Sequence, residues 1–360
     1  MIDKYYNGVI EQVYNRVGKT ERNIVMASYN NDFSIENLEM IKRYQENDDS
    51  VFFTWHEFGY RELTGAYEPF LDTICDMFRK YRDGDFDTFL TECGVYELHR
   101  EVFRSYYENG ICEREEGVLL NEVEYEQGRM TEAIAAMLKA LAKTHPIVLV
   151  INRFQMASRS AFELVYALIT NPDPNIGLVL GVNDSVGRWE SIAEVWDGIV
   201  ESLEDHSQLY HIGSSNRRRT ELKEELPLVE GYTDNVYVDE NYEKSIRKVA
   251  NIVEFLDYDQ AKRYFQGVEH KIKFEDAKME ISCKRAFYLL YARTSILLGE
   301  LSKALELVSE ATHMSPEENE SMYRSQCDFL RATCYMYQGK LEKAEKYANL
   351  AYGHAMESGN

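Results

Sequence analysis

Residues 285–316 read RAFYLLYARTSILLGELSKALELVSEATHMSP, and residues 325–356 read SQCDFLRATCYMYQGKLEKAEKYANLAYGHAM, so one pattern recurs 40 residues later. Alanine suits the places where two helices cross closely, and glycine suits a left-handed turn between them. The pattern therefore predicts stacked helical hairpins. The shared positions are Ala292 with Ala332, Gly299 with Gly339, Leu301 with Leu341, Ala304 with Ala344 and Ala311 with Ala351.

This spacing resembles the tetratricopeptide repeat, with Tyr288 at the aromatic position and Pro316 at the proline that closes the repeat. A weaker earlier copy runs through residues 251–265, where Ala261 takes the alanine position and the turn glycine is missing. The resemblance implies an all-α helical solenoid over residues 241–360 that binds a protein or peptide. Solenoids need a polar last hairpin, so we expect the array to continue beyond residue 360.

The first helix of each hairpin supplies candidate partner-binding residues, because the resemblance places these helices on the concave side of the solenoid. Aromatic and arginine side chains there suit a peptide-binding hot spot. An alternative interpretation assigns most of the tyrosines to the core of the repeats. The candidates are Tyr291, Arg293, Arg324, Asp328 and Arg331.

Residues 1–213 alternate apolar runs with amphipathic helical patterns, which is typical of an α/β domain with a parallel sheet. Each run is predicted to be a fully buried central strand. A polar segment, 214–240, is predicted to be the linker to the repeats. The predicted strands are 23–27, 50–54, 147–151, 176–181 and 208–212, and the predicted helices are 34–46, 66–82, 85–108, 122–144, 158–170 and 188–204.

Residues 145–170, HPIVLVINRFQMASRSAFELVYALIT, resemble the Walker B segment of STAND-type ATPases. The resemblance implies a P-loop NTPase-like domain over residues 1–213. In an active member, two acids at the end of this strand hold Mg²⁺ and polarise the attacking water. Here those positions are Asn152 and Arg153, and an amide and a cation are poor partners for a hard metal ion.

The segment after the first strand departs from the family in the same way. A P-loop cradles phosphates with bare backbone amides and a lysine. Residues 27–35 read ASYNNDFSI and contain neither glycine nor lysine. We therefore predict a degenerate nucleotide site with no catalytic residue, no cofactor and no ATP binding. Its members are Ser28, Asn31, Ser34, Asn152 and Arg153.

The resemblance implies a non-enzymatic regulatory or sensory module of a larger signalling protein, such as a transcriptional regulator or a cyclic-dinucleotide synthase. The alternative is a divergent but working ATP-binding switch, in which Glu57, Asp32 or Asp184 supplies the metal contacts. A third interpretation is a structural adaptor that assembles through the repeats.

Composition excludes other classes. The formal charge of −22 should repel a nucleic-acid backbone, and the basic run at residues 217–219 is predicted to be a solvated loop. The longest apolar run, residues 146–151, is too short to span a bilayer. Six scattered cysteines without a CxxC pair indicate a cytoplasmic protein, and the eight histidines show no metal-binding spacing.

Overall fold

The protein's structure, a computed structural model, falls into two compact units that are described separately. The first unit contains residues 1–110 and 127–231, and the second contains residues 111–126 and 232–360. The described residues are 2–20, 22–30, 33–47, 50–60, 63–110, 112, 118–186, 188–189, 192–206, 208–212, 228–229, 242–274, 279–314 and 320–358.

The first unit is built on a five-stranded parallel sheet of order β2-β3-β4-β1-β6, and all five predicted strands are confirmed. The prediction that every strand is central is wrong for the two at the edges of the described sheet, β2 and β6, because an apolar run does not reveal its neighbours. A separate parallel pair joins β5 to β7. The strands are β1 (Asn23–Tyr29), β2 (Phe52–Glu57), β3 (Ile147–Asn152), β4 (Ile176–Asn183), β5 (Arg188–Trp189), β6 (Leu209–Ile212) and β7 (Leu228–Val229).

Helices cover the faces of this sheet, and three differ from the predicted pattern. Residues 188–189, predicted to begin a helix, form β5 instead, and α8 begins at Ala193. The helix predicted over residues 85–108 is two helices, because Gly94 takes φ 72° and the chain turns there. The first helix was not predicted at all. The helices are α1 (Ile2–Arg16), α2 (Glu39–Asn47), α3 (Phe70–Tyr81), α4 (Phe86–Glu92), α5 (Glu97–Asn109), α6 (Val123–Ala142), α7 (Arg159–Thr170) and α8 (Ala193–Asp205), with 3-10 turns at Ile35–Asn37, Leu120–Glu122 and Phe154–Met156.

Helix α1 lies directly on β4 because two glycines on that strand leave room for it. A Cβ atom on Gly177 would stand 2.7 Å from Val13, and one on Gly181 would stand 2.3 Å from the hydroxyl of Tyr6. Tyr6 and Val13 are both buried in the core on this face of the sheet. Glycine lowers the strand propensity of β4, but its lack of a side chain at these two positions allows α1 to pack directly on the sheet.

From residue 242 onward, the described residues of the second unit form three helical hairpins, which confirms the predicted all-helical C-terminal region. Glycines in left-handed conformation, Gly299 (φ 76°) and Gly339 (φ 71°), make the turns of the later two hairpins. Leu256 takes φ 66° in the first hairpin, five residues before the buried Ala261, just as Gly299 stands five residues before the buried Ala304. The helices are α9 (Tyr242–Glu254), α10 (Tyr258–Phe274), α11 (Ile281–Leu297), α12 (Leu301–His313), α13 (Glu320–Tyr337) and α14 (Leu341–Ser358).

Residues 111–126 group with the helical unit although they lie within the sequence of the α/β unit. The backbone amide of Cys112 donates to Asn251 Oδ1 at 2.8 Å, and that of Leu120 donates to the hydroxyl of Tyr337 at 3.0 Å. The predicted linker, 214–240, lies outside the described residues except at Leu228–Val229. In the part of the chain that the structure describes, no helix combines the length and the apolar character needed to cross a bilayer.

Candidate functional site

Four polar or aromatic residues end the four longest strands of the sheet. Tyr29 ends β1, Glu57 ends β2, Asn152 ends β3 and Asn183 ends β4. Open parallel sheets bind ligands beyond the carboxyl ends of their strands, where the strand order reverses. Together with Arg153, these residues form what we call the strand-end cluster.

Asn152 is at the centre of the cluster and is fully buried. Its Oδ1 accepts a hydrogen bond from the hydroxyl of Tyr29 at 2.6 Å. Its Nδ2 donates to Glu57 Oε2 at 3.1 Å and to the carbonyl of Phe33 at 3.3 Å. The amide is thus satisfied by the protein itself on both its oxygen and its nitrogen.

Glu57 supplies the negative charge of the cluster. Besides Asn152, its Oε2 accepts from the backbone amide of Ile35 at 2.8 Å, and its Oε1 lies 3.2 Å from the guanidinium of Arg153. Ile35 begins the 3-10 turn that follows β1, where a P-loop would direct its backbone amides at phosphate. A carboxylate of the chain therefore accepts the hydrogen bond of this backbone amide.

Arg153 is held in place on three sides. Its guanidinium pairs with Glu57, donates to the carbonyl of Phe58 at 3.2 Å and lies 4.5 Å from the centre of the Tyr60 ring. The side chains of the Arg153–Glu57 pair are only 15% and 16% exposed, so water screens the pair weakly. Arg153 has φ 54°, an uncommon conformation for a non-glycine residue, directly after the strand end.

A second set of hydrogen bonds ties the end of β4 to the turn after β3. Asn183 donates from Nδ2 to the hydroxyl of Tyr60 at 2.7 Å, and its carbonyl accepts from Gln155 Nε2 at 3.2 Å. Gln155 Oε1 accepts in return from the amide of Asn183 at 3.4 Å. Both side chains are buried, which fixes the two turns to each other.

Two aromatic rings, those of Phe33 and Tyr6, pack against Tyr29 of the cluster on the α1 face of the sheet. Phe33 lies edge-on to Tyr29 and Tyr6, with ring centres 4.7 Å and 5.2 Å apart. Tyr6 and Tyr29 are fully buried. Burial, and then the charge of Glu57, raise the pKa of Tyr6, so its hydroxyl stays protonated.

The structure brings together only part of the predicted degenerate site. Asn152 and Arg153 belong to the strand-end cluster, Ser28 is buried within β1, and Ser34 is exposed before the 3-10 turn without capping it by its side chain. Asn31 and Asp32 lie outside the described residues. Within the described ranges, no group of three or more His, Cys, Asp or Glu side chains could hold a metal ion.

Sequence reasoning did not identify Tyr6, Tyr29 and Tyr60 as members of this site. It named Glu57 only as a metal ligand in the alternative, whereas the structure pairs Glu57 with Arg153. One signal was present for two of these residues. Tyr29 and Glu57 lie two and three residues beyond the predicted strands 23–27 and 50–54, and in a parallel sheet such positions meet at one edge.

In the helical unit, two of the predicted partner-binding residues have internal roles. Tyr291 is buried and stacks on Phe265, with ring centres 4.8 Å apart, which gives it a packing role; its contact with a partner stays a prediction. The ring of Tyr291 fills the core between α10 and α11. Arg293 pairs with Glu254 at 2.6 Å, joining α11 to α9, while part of its side chain lines a groove described below.

The other predicted partner-binding residues lie on α13. Asp328 is buried and accepts from Arg331 at 2.8 Å, and His354 lies 3.7 Å away on α14. Arg331 also donates to Thr312 Oγ1 at 2.6 Å. Arg324 is exposed. Asp328 and Arg331 thus hold α12, α13 and α14 together, and only Arg324 of this group lies openly on the surface.

Comparison with known proteins adds no identity to this picture. No protein-family model matches the sequence, and no curated protein is significantly similar to it.

Proposed function

We propose that the chain is a non-catalytic regulatory module, in which a degenerate STAND-type P-loop ATPase unit acts as a scaffold and a tetratricopeptide-like unit binds a partner within a larger signalling protein. The observation that carries the proposal is the strand-end cluster. There Glu57 accepts hydrogen bonds from Asn152 and Ile35 and forms an ion pair with Arg153. These donors are therefore engaged without any nucleotide.

Electrostatics supports the loss of nucleotide binding. A triphosphate placed at the end of β1 would approach Glu57, and two like charges 4 Å apart repel by about 4 kcal/mol at an effective dielectric constant of 20. A magnesium ion that shields the phosphates would instead meet the guanidinium of Arg153. Because Glu57 and Arg153 already neutralise each other at 3.2 Å, the pair offers neither ion an uncompensated charge, and we expect nucleotide binding to be weak.

The helical unit supports the interaction part of the proposal. Its turns at Gly299 and Gly339 and its buried alanines at Ala304 and Ala311 match the positions on which the tetratricopeptide resemblance rests. Units of this kind expose long surfaces to partners because each hairpin contacts mainly its neighbours.

Isothermal titration calorimetry with ATP and Mg²⁺ tests the proposal. We expect no heat beyond dilution for the wild-type chain. Micromolar binding that is abolished in Asn152→Ala would overturn it and would favour the divergent ATP switch. Asn23→Ala is the matched control, since it removes another buried asparagine at the opposite end of β1, where Asn23 bonds to the carbonyls of Thr20 and Pro174.

A further inference from the structure

A segment that belongs to no hairpin, residues 111–126, groups with the helical unit. In sequence this inserted segment follows α5 and includes the first residues of α6. The structure describes Cys112 and residues 118–126 of it. Each hairpin is formed by its own two helices, so the hairpins do not by themselves explain why the inserted segment lies with them.

Side chains of α9 and α13 hold the main chain of the inserted segment at two points. Asn251 Oδ1 accepts from the backbone amide of Cys112 at 2.8 Å, and the hydroxyl of Tyr337 accepts from that of Leu120 at 3.0 Å. Both bonds go to backbone amides, so they do not depend on the side chains of the segment. Main-chain hydrogen bonds of this kind supply affinity in peptide recognition, while pockets for side chains supply specificity.

The contacts lie in one row at the carboxyl ends of the first helices of the three hairpins. Asn251 is in the last turn of α9, and Tyr337 is the last residue of α13. Between them, residues 296–297 at the end of α11 line a groove of about 660 Å³ together with residues 118–119. Because α11 packs on both α9 and α13, these helix ends form one continuous surface, which we call the first-helix row.

The inserted segment has the pattern of a bound peptide. Cys112 and Val118 are 5% and 8% exposed, whereas Leu119 is 48% exposed and has an extended backbone. A segment that is joined to its binding surface acts at an effective concentration of about a millimolar for a short flexible connection. It therefore occupies the surface ahead of a free peptide of similar affinity.

We propose that the inserted segment is an intramolecular ligand of the first-helix row, and that an extended peptide of a partner protein binds the same row by displacing it. Such a peptide offers backbone amides at the spacing of Cys112 and Leu120 and an apolar side chain in the place of Val118. The proposal rests on the partner-binding role of the helical unit put forward above, but not on the nucleotide part.

Two variants weaken the contact from its two sides. Leu120→Pro removes the amide that donates to Tyr337, and proline fits there because Leu120 begins a 3-10 turn and Leu119 is extended, with φ −79° and ψ 147°. Tyr337→Phe removes the acceptor of the same bond. Tyr335→Phe, also on α13, is the matched control, since Tyr335 stacks on Tyr347 instead.

Thiol labelling of Cys112 reports release of the segment, because this side chain is buried. The full chain is treated with iodoacetamide and labelling is followed by mass spectrometry, with Cys93 of the α/β unit as the internal reference. We expect labelling of Cys112 about three- to tenfold faster in Leu120→Pro and in Tyr337→Phe, for the loss of one hydrogen bond, and unchanged in Tyr335→Phe. The double variant should be no faster than the faster single variant, because both changes remove the same bond.

A synthetic peptide distinguishes an exchangeable ligand from a fixed structural element. The peptide has the sequence of residues 111–126 with Cys112→Ser, and its addition at up to about 1 mM should accelerate labelling of Cys112 in the wild-type chain. In Leu120→Pro the half-maximal peptide concentration should be at least about threefold lower, because its own segment competes less. In Tyr337→Phe it should not fall, since peptide and segment lose the same bond. A scrambled peptide should have no effect.

Labelling of Cys112 that the peptide does not accelerate would overturn the inference, because the segment would then be a fixed element of the fold. Equal labelling of wild type, Leu120→Pro and Tyr337→Phe would overturn it as well. Tyr337→Phe and the peptide titration of the wild type keep the test decisive if Leu120→Pro fails to fold. Neither result bears on ATP binding or on other faces of the helical unit, so this failure is distinct from failure of the proposed function.

Discussion

Replacing Asn152 by aspartate restores an acid at the end of β3 and sets it against Glu57. The donor Nδ2, now 3.1 Å from Glu57 Oε2, becomes a carboxylate oxygen. Two unit charges at this separation repel by about 5 kcal/mol at an effective dielectric constant of 20. Protonation of one carboxyl limits the penalty, because holding a proton at pH 7 on a group of ordinary pKa near 4 costs about 4 kcal/mol. Because the adjacent Arg153 offsets part of the repulsion, we expect the free energy of unfolding to fall by about 2–4 kcal/mol at pH 7.

The loss should depend on pH with a defined sign. In the folded variant, repulsion between the two adjacent carboxyls favours holding one proton between them, whereas the unfolded chain releases it. Because the folded state then binds more protons above pH ~4, its stability falls as pH rises, by up to about 1.4 kcal/mol per unit. At pH 5 most of the loss should be recovered.

Urea unfolding followed by tryptophan fluorescence measures this effect in the relevant unit, since Trp55, Trp189 and Trp196 all belong to the α/β unit. The double variant Glu57→Gln with Asn152→Asp reverses donor and acceptor, and should regain at least half of the stability. Equal stability of wild type and Asn152→Asp at pH 7, or a loss that is the same at pH 5, would refute the role assigned to the strand-end cluster.

Three further outcomes follow from the packing. Gly181→Ala should cost about 1–3 kcal/mol by urea unfolding because α1 leaves no room for a Cβ, whereas Gly128→Ala, in open space within α6, should stabilise by about 0.5–1 kcal/mol. Gly339→Ala should lower the thermal stability of the helical unit by about 1–2 kcal/mol through its φ of 71° alone, and an unchanged melting curve by circular dichroism would contradict this. Arg293→Ala should cost about 2–3 kcal/mol by urea unfolding, since the buried Glu254 loses its partner at 2.6 Å; an unchanged unfolding curve would argue against a stabilising role of the pair.

The order of elements could be predicted because it depends on local patterns. Apolar runs such as residues 147–151 specify strands, and the glycines and alanines that recur at the same positions of each repeat specify the later hairpins. Gly177 and Gly181 are different, because their role is to let α1 pack closely on β4, and no local pattern of β4 reveals this contact. Leu256 likewise adopts a left-handed turn that sequence assigns to glycine, since surrounding packing outweighs a strain of about 1–2 kcal/mol.

The candidate site was predicted only from residues that differ from the pattern of the family the sequence resembles. Asn152 and Arg153 stood out because they replace expected acids. Their partners, Glu57, Tyr29 and Tyr60, come from other strand ends and turns, and their pairing depends on strand order and side-chain direction. Sequence reasoning therefore identified Asn152 and Arg153 but not the internal network of contacts to which they belong.

The grouping of residues 111–126 with the helical unit has a consequence for biosynthesis. The bond between the amide of Leu120 and the hydroxyl of Tyr337 joins residues 217 positions apart. Helical hairpins otherwise form from near neighbours and fold quickly, whereas distant contacts slow folding. On the ribosome, this early segment must wait until α13 has emerged, at about 5–20 residues per second. A fragment that starts at residue 241 would lack the segment altogether, so the chain cannot be divided at one point into two self-sufficient halves.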